Sequence, residues 1–177
     1  MATDQQGNRA PRGLITDIEE GLISNQPVAD LLRMIVILGG KAGSAELRAW
    51  ATKELSGYGP DDELPSYRVI AAPILLDGTS QFAQISRQSI SPSELPDFAR
   101  SKIQEEVHFT QGVGELDAMA RQEHTLDVRL AVPGSRELAL YMESQSTVPQ
   151  RIDRIYWSVS TVRIAGMVDQ IRTRLAG

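Results

Sequence analysis

The apolar period of this 177-residue chain first changes near Gly57, and that change limits the folds open to it. Before it, apolar residues recur every three or four positions, as one face of a helix requires. Leu14, Ile15, Ile18 and Leu22 form one such set, and Val28, Leu31, Leu32, Ile35 and Leu38 a second. "SNQP" separates them, with Ser24 or Asn25 able to cap and Pro27 placed in a first turn, where its missing N–H is harmless. After "GGKAGS", Ser44 can cap a third helix whose Leu47, Trp50, Ala51 and Leu55 make an inner stripe. Gly57 is placed to end it in a left-handed conformation.

Beyond the acidic loop "GPDDELP" the reading becomes strand-like. "YRVIAAPILL" and "SQFAQIS" flank "DGT", which predicts a hairpin near residues 67–87. Pro73 removes a ladder donor, so the first strand is expected at an edge or at a bulge. Helical stretches are predicted over 96–107 and 115–122. The clearest strand is 126–132, where Leu126, Val128, Leu130 and Val132 alternate with Asp127, Arg129 and Ala131. "SRELALYMES" follows as a helix and "RIDRIYWSVS" as a strand. Ile164, Val168, Ile171 and Leu175 then mark a final helix behind a cap at Ser160 or Thr161. The sum is an α+β domain: leading helices, a small mostly antiparallel sheet, and a C-terminal helix packing back. No repeat or linker divides it, so residues 13–177 read as a single domain behind a disordered polar leader at 1–12.

Several function classes are disfavoured by composition. With no Cys, there is no disulfide framework, thiolate site or Cys nucleophile, which suits a reducing cytoplasm. The longest apolar run, "MIVIL" at 34–38, is far short of the roughly 20 residues that span a bilayer, and "MATDQQGNRAPRG" has no apolar core of a secretion signal. The net charge of −5 and the scatter of the 18 Lys and Arg argue against a nucleic-acid partner, which usually meets a positive stripe. The nearest approach to a patch, Arg151, Arg154, Arg163, Arg172 and Arg174, reads as a solvated face.

The short motifs fail on their own chemistry. "GGKAGS" has Ile35 where a phosphate loop needs its first Gly, and Ala42 where magnesium needs a hydroxyl. "GVGELD" at 112–117 lacks the third Gly of a dinucleotide loop. Asp97, with Asp127 and Arg129 on a later strand, only loosely imitates a metal-dependent nuclease. Asp61, Asp62 and Glu63 read as a solvated loop. His108 and His124, sixteen residues apart, share no face and have neither a metal-ligand partner nor a G-x-S-x-G elbow. No catalytic, cofactor or metal signature stands out.

What remains is a group at the helix-to-strand change. Glu54 lies off the inner stripe of Trp50 and Leu55; Tyr58 follows the cap; "LPSYR" supplies Tyr67 and Arg68. If helix end and strand start are neighbours, Glu54, Tyr58, Tyr67 and Arg68 form a charge-assisted cluster flanked by phenols. Such a cluster serves either as a ligand or partner site or as a clamp joining helix to sheet.

"LLR" at 31–33, "WATKELSGY" at 50–58, "ELPSYRV" at 63–69, "IYWSVS" and "IRTR", taken in that order, resemble the AbiTii family over about residues 14–175. Trp50, Glu54, Leu55, Gly57, Tyr58, Leu64, Pro65, Tyr67 and Arg68 match its pattern, as do Tyr156, Trp157, Ile171 and Arg172. The resemblance implies a setting, bacterial abortive infection, in which a phage-infected cell stops growing or dies before progeny are released. It implies no catalytic residue. Such modules often continue into a further hydrophobic helix where this chain reads "RLAG", so the resemblance also implies the amino-terminal part of a longer protein. The expectation is a non-enzymatic sensing or oligomerisation module that binds a protein partner or itself. The alternative is a toxic enzyme acting on nucleic acid or a nucleotide, with Glu54, Tyr67 and Arg68 as carboxylate, hydroxyl and anion clamp.

Overall fold

The computed structural model describes residues 13–122 and 125–176; the expected leader and His124 lie outside them. Three helices lead: α1 (Leu14–Ile23), α2 (Val28–Ala42) and α3 (Ala45–Ser56). α2 runs four residues past Leu38, straight through Gly39 and Gly40, and stops at Gly43 with φ 71°. Gly39 eases the close crossing of α3: an added Cβ would lie 3.1 Å from the Arg48 backbone nitrogen, tighter than an ordinary contact. Pro27 stands one position before α2, which has no side-chain cap, whereas the Ser44 hydroxyl does accept from Leu47 N–H.

The strand region divides in two. After a single 3-10 turn (Ser66–Arg68), β1 (Val69–Ala71) pairs only with β4 (Glu106–His108). β2 (Ile74–Ser80), β3 (Gln84–Ile90), β5 (Asp127–Ala131) and β6 (Gln150–Ser160) make an antiparallel sheet in the order β3-β2-β6-β5. Pro73 therefore sits between two sheets: β1 before it is an edge strand of the two-stranded pair, and β2 after it carries a bulge next to Gly78. Lacking an N–H, it closes the first strand, and its carbonyl accepts from Ser158 N–H. The hairpin is β2–β3. "DGT" lies inside β2 at a bulge, and the chain reverses at residues 81–83, where the Ser80 hydroxyl accepts from Ala83 N–H.

The stretch expected to be helical over 96–107 is a single turn, α4 (Asp97–Arg100), followed by β4. Ile103 is buried from the loop after α4, Val107 from β4 and Phe109 from the segment just beyond it, so no helix presents them. α5 (Val113–Ala120), α6 (Ser135–Gln145) and α7 (Thr161–Ala176) complete the chain, α7 continuing from β6 without a loop.

Two apolar cores follow from this split. Ile18, Leu32, Ile35, Phe109, Leu116, Ile164 and Ile171 centre the helical one, around α1, α2, α3, α5 and α7. Ile74, Leu76, Leu95, Ile103, Leu138 and Ile155 centre the other, between the four-stranded sheet and α4 and α6. Trp157 packs against both. The fold class is α+β, closed by a C-terminal helix.

Gly57 ends α3 at φ 94°, ψ 173°, a region essentially reserved for glycine, and an added Cβ would lie 2.6 Å from Thr110 O. Gly57→Ala should therefore destabilise by about 1–3 kcal/mol from backbone strain alone. Gly40→Ala, helical with open space around it, should raise stability by up to about 1 kcal/mol. Urea midpoints of the two variants should move in opposite directions.

Candidate functional site

α3 carries Glu54 inward. Counting back from Tyr58, the buried face runs Tyr58, Glu54, Ala51, at steps of four and three. This corrects the sequence reading, which put Trp50 and Leu55 inside and Glu54 off the stripe: Trp50 and Leu55 are half-buried flanks, and Glu54 is fully buried. A carboxylate in that position costs several kcal/mol to desolvate unless donors replace water.

Four bonds do so. The hydroxyls of Tyr58 and Tyr67 donate to Glu54 Oε1 at 2.6 and 2.5 Å, and Arg68 Nη2 and Nε donate to Oε2 at 2.6 and 3.2 Å. Arg68, also fully buried, spends its Nη1 on the carbonyls of Phe109, at 3.0 Å, and Gln111, at 2.6 Å. Around this centre Trp50 Nε1 donates to the Tyr67 hydroxyl, the Arg68 guanidinium lies 4.8 Å from the Tyr58 ring centre, and Arg174 of α7 lies 4.7 Å from that of Tyr67. Burial, then the bond to Glu54, pushes both phenols above the ordinary tyrosine range, so both stay protonated donors. The main chain closes the same joint through Tyr58 N–H to Thr110 O and Phe109 N–H to Arg68 O.

The four residues singled out from sequence thus meet, joining α3, the turn before β1, the 109–111 segment and α7. With Glu54 and Arg68 at 0% exposure and Tyr58 and Tyr67 below 10%, their polar atoms face one another and not solvent.

The other expected features disperse. Asp97 pairs with Arg100 and Asp127 with Arg87; Asp62 pairs with Lys53 and accepts from Gly59 N–H; His108 meets Glu106. Among the described residues no three His, Asp or Glu side chains stand together in a way that could hold a metal ion. The first four residues of "GGKAGS" are the last turn of α2 and only Gly43 and Ser44 link it to α3, while "GVGELD" opens α5. The five late arginines are not one face: Arg163 donates to Ala71 O, Arg172 to Gln26 O, and Arg174 covers Tyr67, while Arg151 and Arg154 line a groove beside α6.

Sequence reasoning missed a second polar network, on the open face of the four-stranded sheet. Arg87 of β3, at φ 54° in a bulge, reaches Asp127 of β5 and Ser158 of β6. Asp77 of β2 accepts from Arg87 N–H, Arg129 and the Tyr156 hydroxyl. Burial would raise the Asp77 carboxyl, but the Arg87 N–H, the Tyr156 hydroxyl and the nearby Arg129 and Arg154 outweigh it and hold it below the usual range. The bond from Arg87 does the same for Asp127. The only sequence signal was the "DVR" alternation, because the remaining members come from three other strands.

The AbiTii family model matches residues 13–177. The chain belongs to the AbiTii family. Membership points to a bacterial abortive-infection, that is phage-defence, protein. The match covers every described element from α1 to α7 and includes the whole Glu54 cluster. No curated protein and no solved structure matches the chain. No described helix is long and apolar enough to cross a membrane.

Removing one partner of a buried, hydrogen-bonded ion pair leaves the other charge stranded, at a cost of about 3–5 kcal/mol. Arg68→Met and Glu54→Leu should each destabilise by about that amount, and the double variant by clearly less than their sum. Chemical denaturation of the four proteins checks this double-mutant cycle; strict additivity would contradict the clamp.

Proposed function

We propose that this AbiTii chain is a non-enzymatic sensing or oligomerisation module of a cytoplasmic phage-defence protein. The saturation of the Glu54 cluster carries the reading. An acid, a guanidinium and two phenols are the natural ingredients of a reactive site, but here each spends its bonds on the fold. A substrate would have to open the joint between α3 and the 109–111 segment to touch Glu54. In that role the cluster fixes the module's shape, and recognition falls to the surface.

Apolar side chains left in solvent support contact with a protein partner or a second copy. Leu126 is 85% exposed and Val162 76%. They lie on either side of the bond from Thr161 N–H to Leu126 O, which brings the start of β5 beside the start of α7. Exposed large apolar residues grouped at one end of rigid elements are common anchors of protein contacts.

Expression of the chain in a bacterium should leave growth normal. In light scattering the protein should form a species heavier than its monomer mass of 19.4 kDa, either alone or on addition of phage lysate. Leu126→Asp with Val162→Asp should return it to monomer. A sharp monomer unaffected by lysate, together with growth arrest that a folded Glu54→Gln variant abolishes, would favour the toxic enzyme instead.

A further inference from the structure

We infer that the groove between α6 and the first half of β6 binds a small phosphorylated molecule, one with two or more phosphoryl groups and an apolar part, such as a nucleotide. The site arises from a mismatch in strand length. β5 pairs with residues 156–160 of β6 and ends at Ala131, while β6 extends back to Gln150. α6 packs beside the stretch that β5 leaves unpaired, where Glu143 accepts from Ile152 N–H, and a groove of about 630 Å³ is left, within the range of small-molecule sites.

Its charge is unlike that of the rest of the chain. In a protein of net charge −5, Arg129, Arg136, Arg151 and Arg154 all line this one concavity, with only Glu143 and Asp153 against them. Those carboxylates are already engaged: Glu143 accepts from the Ile152 N–H on the free edge of β6, and Asp153 faces Arg151 at 3.3 Å. Arg129 and Arg154 share a single acid, Asp77, at 3.0 and 3.5 Å. Arg136 is exposed and has no hydrogen-bond or ion-pair partner among the described residues. With four guanidiniums against Glu143, Asp153 and Asp77, positive charge is in excess.

Guanidinium forks match phosphoryl oxygens two at a time, and several forks around a confined space suit an anion with several charges close together. Ala139 and Leu140 of α6 supply an apolar wall for an uncharged portion. The Tyr156 ring is already covered by Arg129, at 5.0 Å, and buried, so it offers no stacking platform. Recognition should rest on the phosphates. A long polyanion is disfavoured because the acidic remainder of the surface would repel it.

This deepens the sensing role proposed above by naming the ligand class, and the measurement needs neither phage nor self-association, so the two can fail separately. The purified chain should be titrated calorimetrically with adenosine triphosphate and with inorganic pyrophosphate at about 0.15 M salt. Saturable binding of both is expected. Arg136→Glu and Arg151→Ala should each weaken it by about tenfold or more, the effect of losing one charge-assisted contact. Arg33→Ala on α2, which pairs with Asp30 away from the groove, should leave it unchanged. Because Arg136 supports no other group, its replacement should not unfold the protein. Absence of saturation, undiminished binding by Arg136→Glu, or binding of a single-stranded oligonucleotide without the small phosphates would each overturn the assignment.

Discussion

A carboxylate cut off from water must find every hydrogen bond inside the protein, and Glu54 is such a carboxylate. Its charge would be costly in the core without compensation. Two phenols and one guanidinium supply that compensation, and they come from the end of α3 and from the turn before β1, thirteen and fourteen residues later. The same guanidinium then takes two carbonyls more than forty residues away. One buried charge thus dictates where three separated segments meet. Gly57 and Gly112 follow from it, since the backbones approach too closely there for a side chain: a Cβ on Gly112 would collide with Leu55 O.

The clamp belongs to the helical core. The sheet half has its own polar tie, in which Arg87 joins one edge strand to Asp127 on the other across the open face. Where that sheet is incomplete, beyond the end of β5, the arginines collect. The division of labour is between a saturated interior cluster that positions elements and an unsaturated surface groove with donors to spare. The non-enzymatic role proposed above has use for both: a rigid frame and an arginine-lined groove held on it.

Much of this was legible in the residues. The helices α1, α3, α6 and α7 and the strands β5 and β6 follow their periodicity, and Glu54, Tyr58, Tyr67 and Arg68 were singled out by spacing and type. The orientation of Glu54 was not, because an apolar stripe counts only apolar residues, and a paired acid on the buried face is invisible to it. The 96–107 stretch was misread for a related reason: its buried Ile103 and Val107 sit at a helical interval of four, but the helix stops after Arg100 and β4 begins at Glu106. "DGT" has the composition of a turn, yet the pairing of β2 with both neighbours absorbs it as a bulge. Of the groove, only Arg151 and Arg154 drew notice, as part of a solvated face. Its arginines come from β5, α6 and β6, and only the different lengths of two paired strands bring them together.

The phenols report on the buried carboxylate most directly. Their ionisation is opposed by burial and by Glu54, so their contribution to stability is complete below the ordinary tyrosine value of about 10 and is lost only as pH rises through the higher folded value. Carbon-13 NMR of the ring resonances of Tyr58 and Tyr67, followed from neutral to alkaline pH, measures this. Both rings should keep their protonated shifts past pH 10 until the whole protein unfolds. Titration of either ring near pH 10 in the folded state would mean that it is not bound to Glu54, and the account of the clamp would fail.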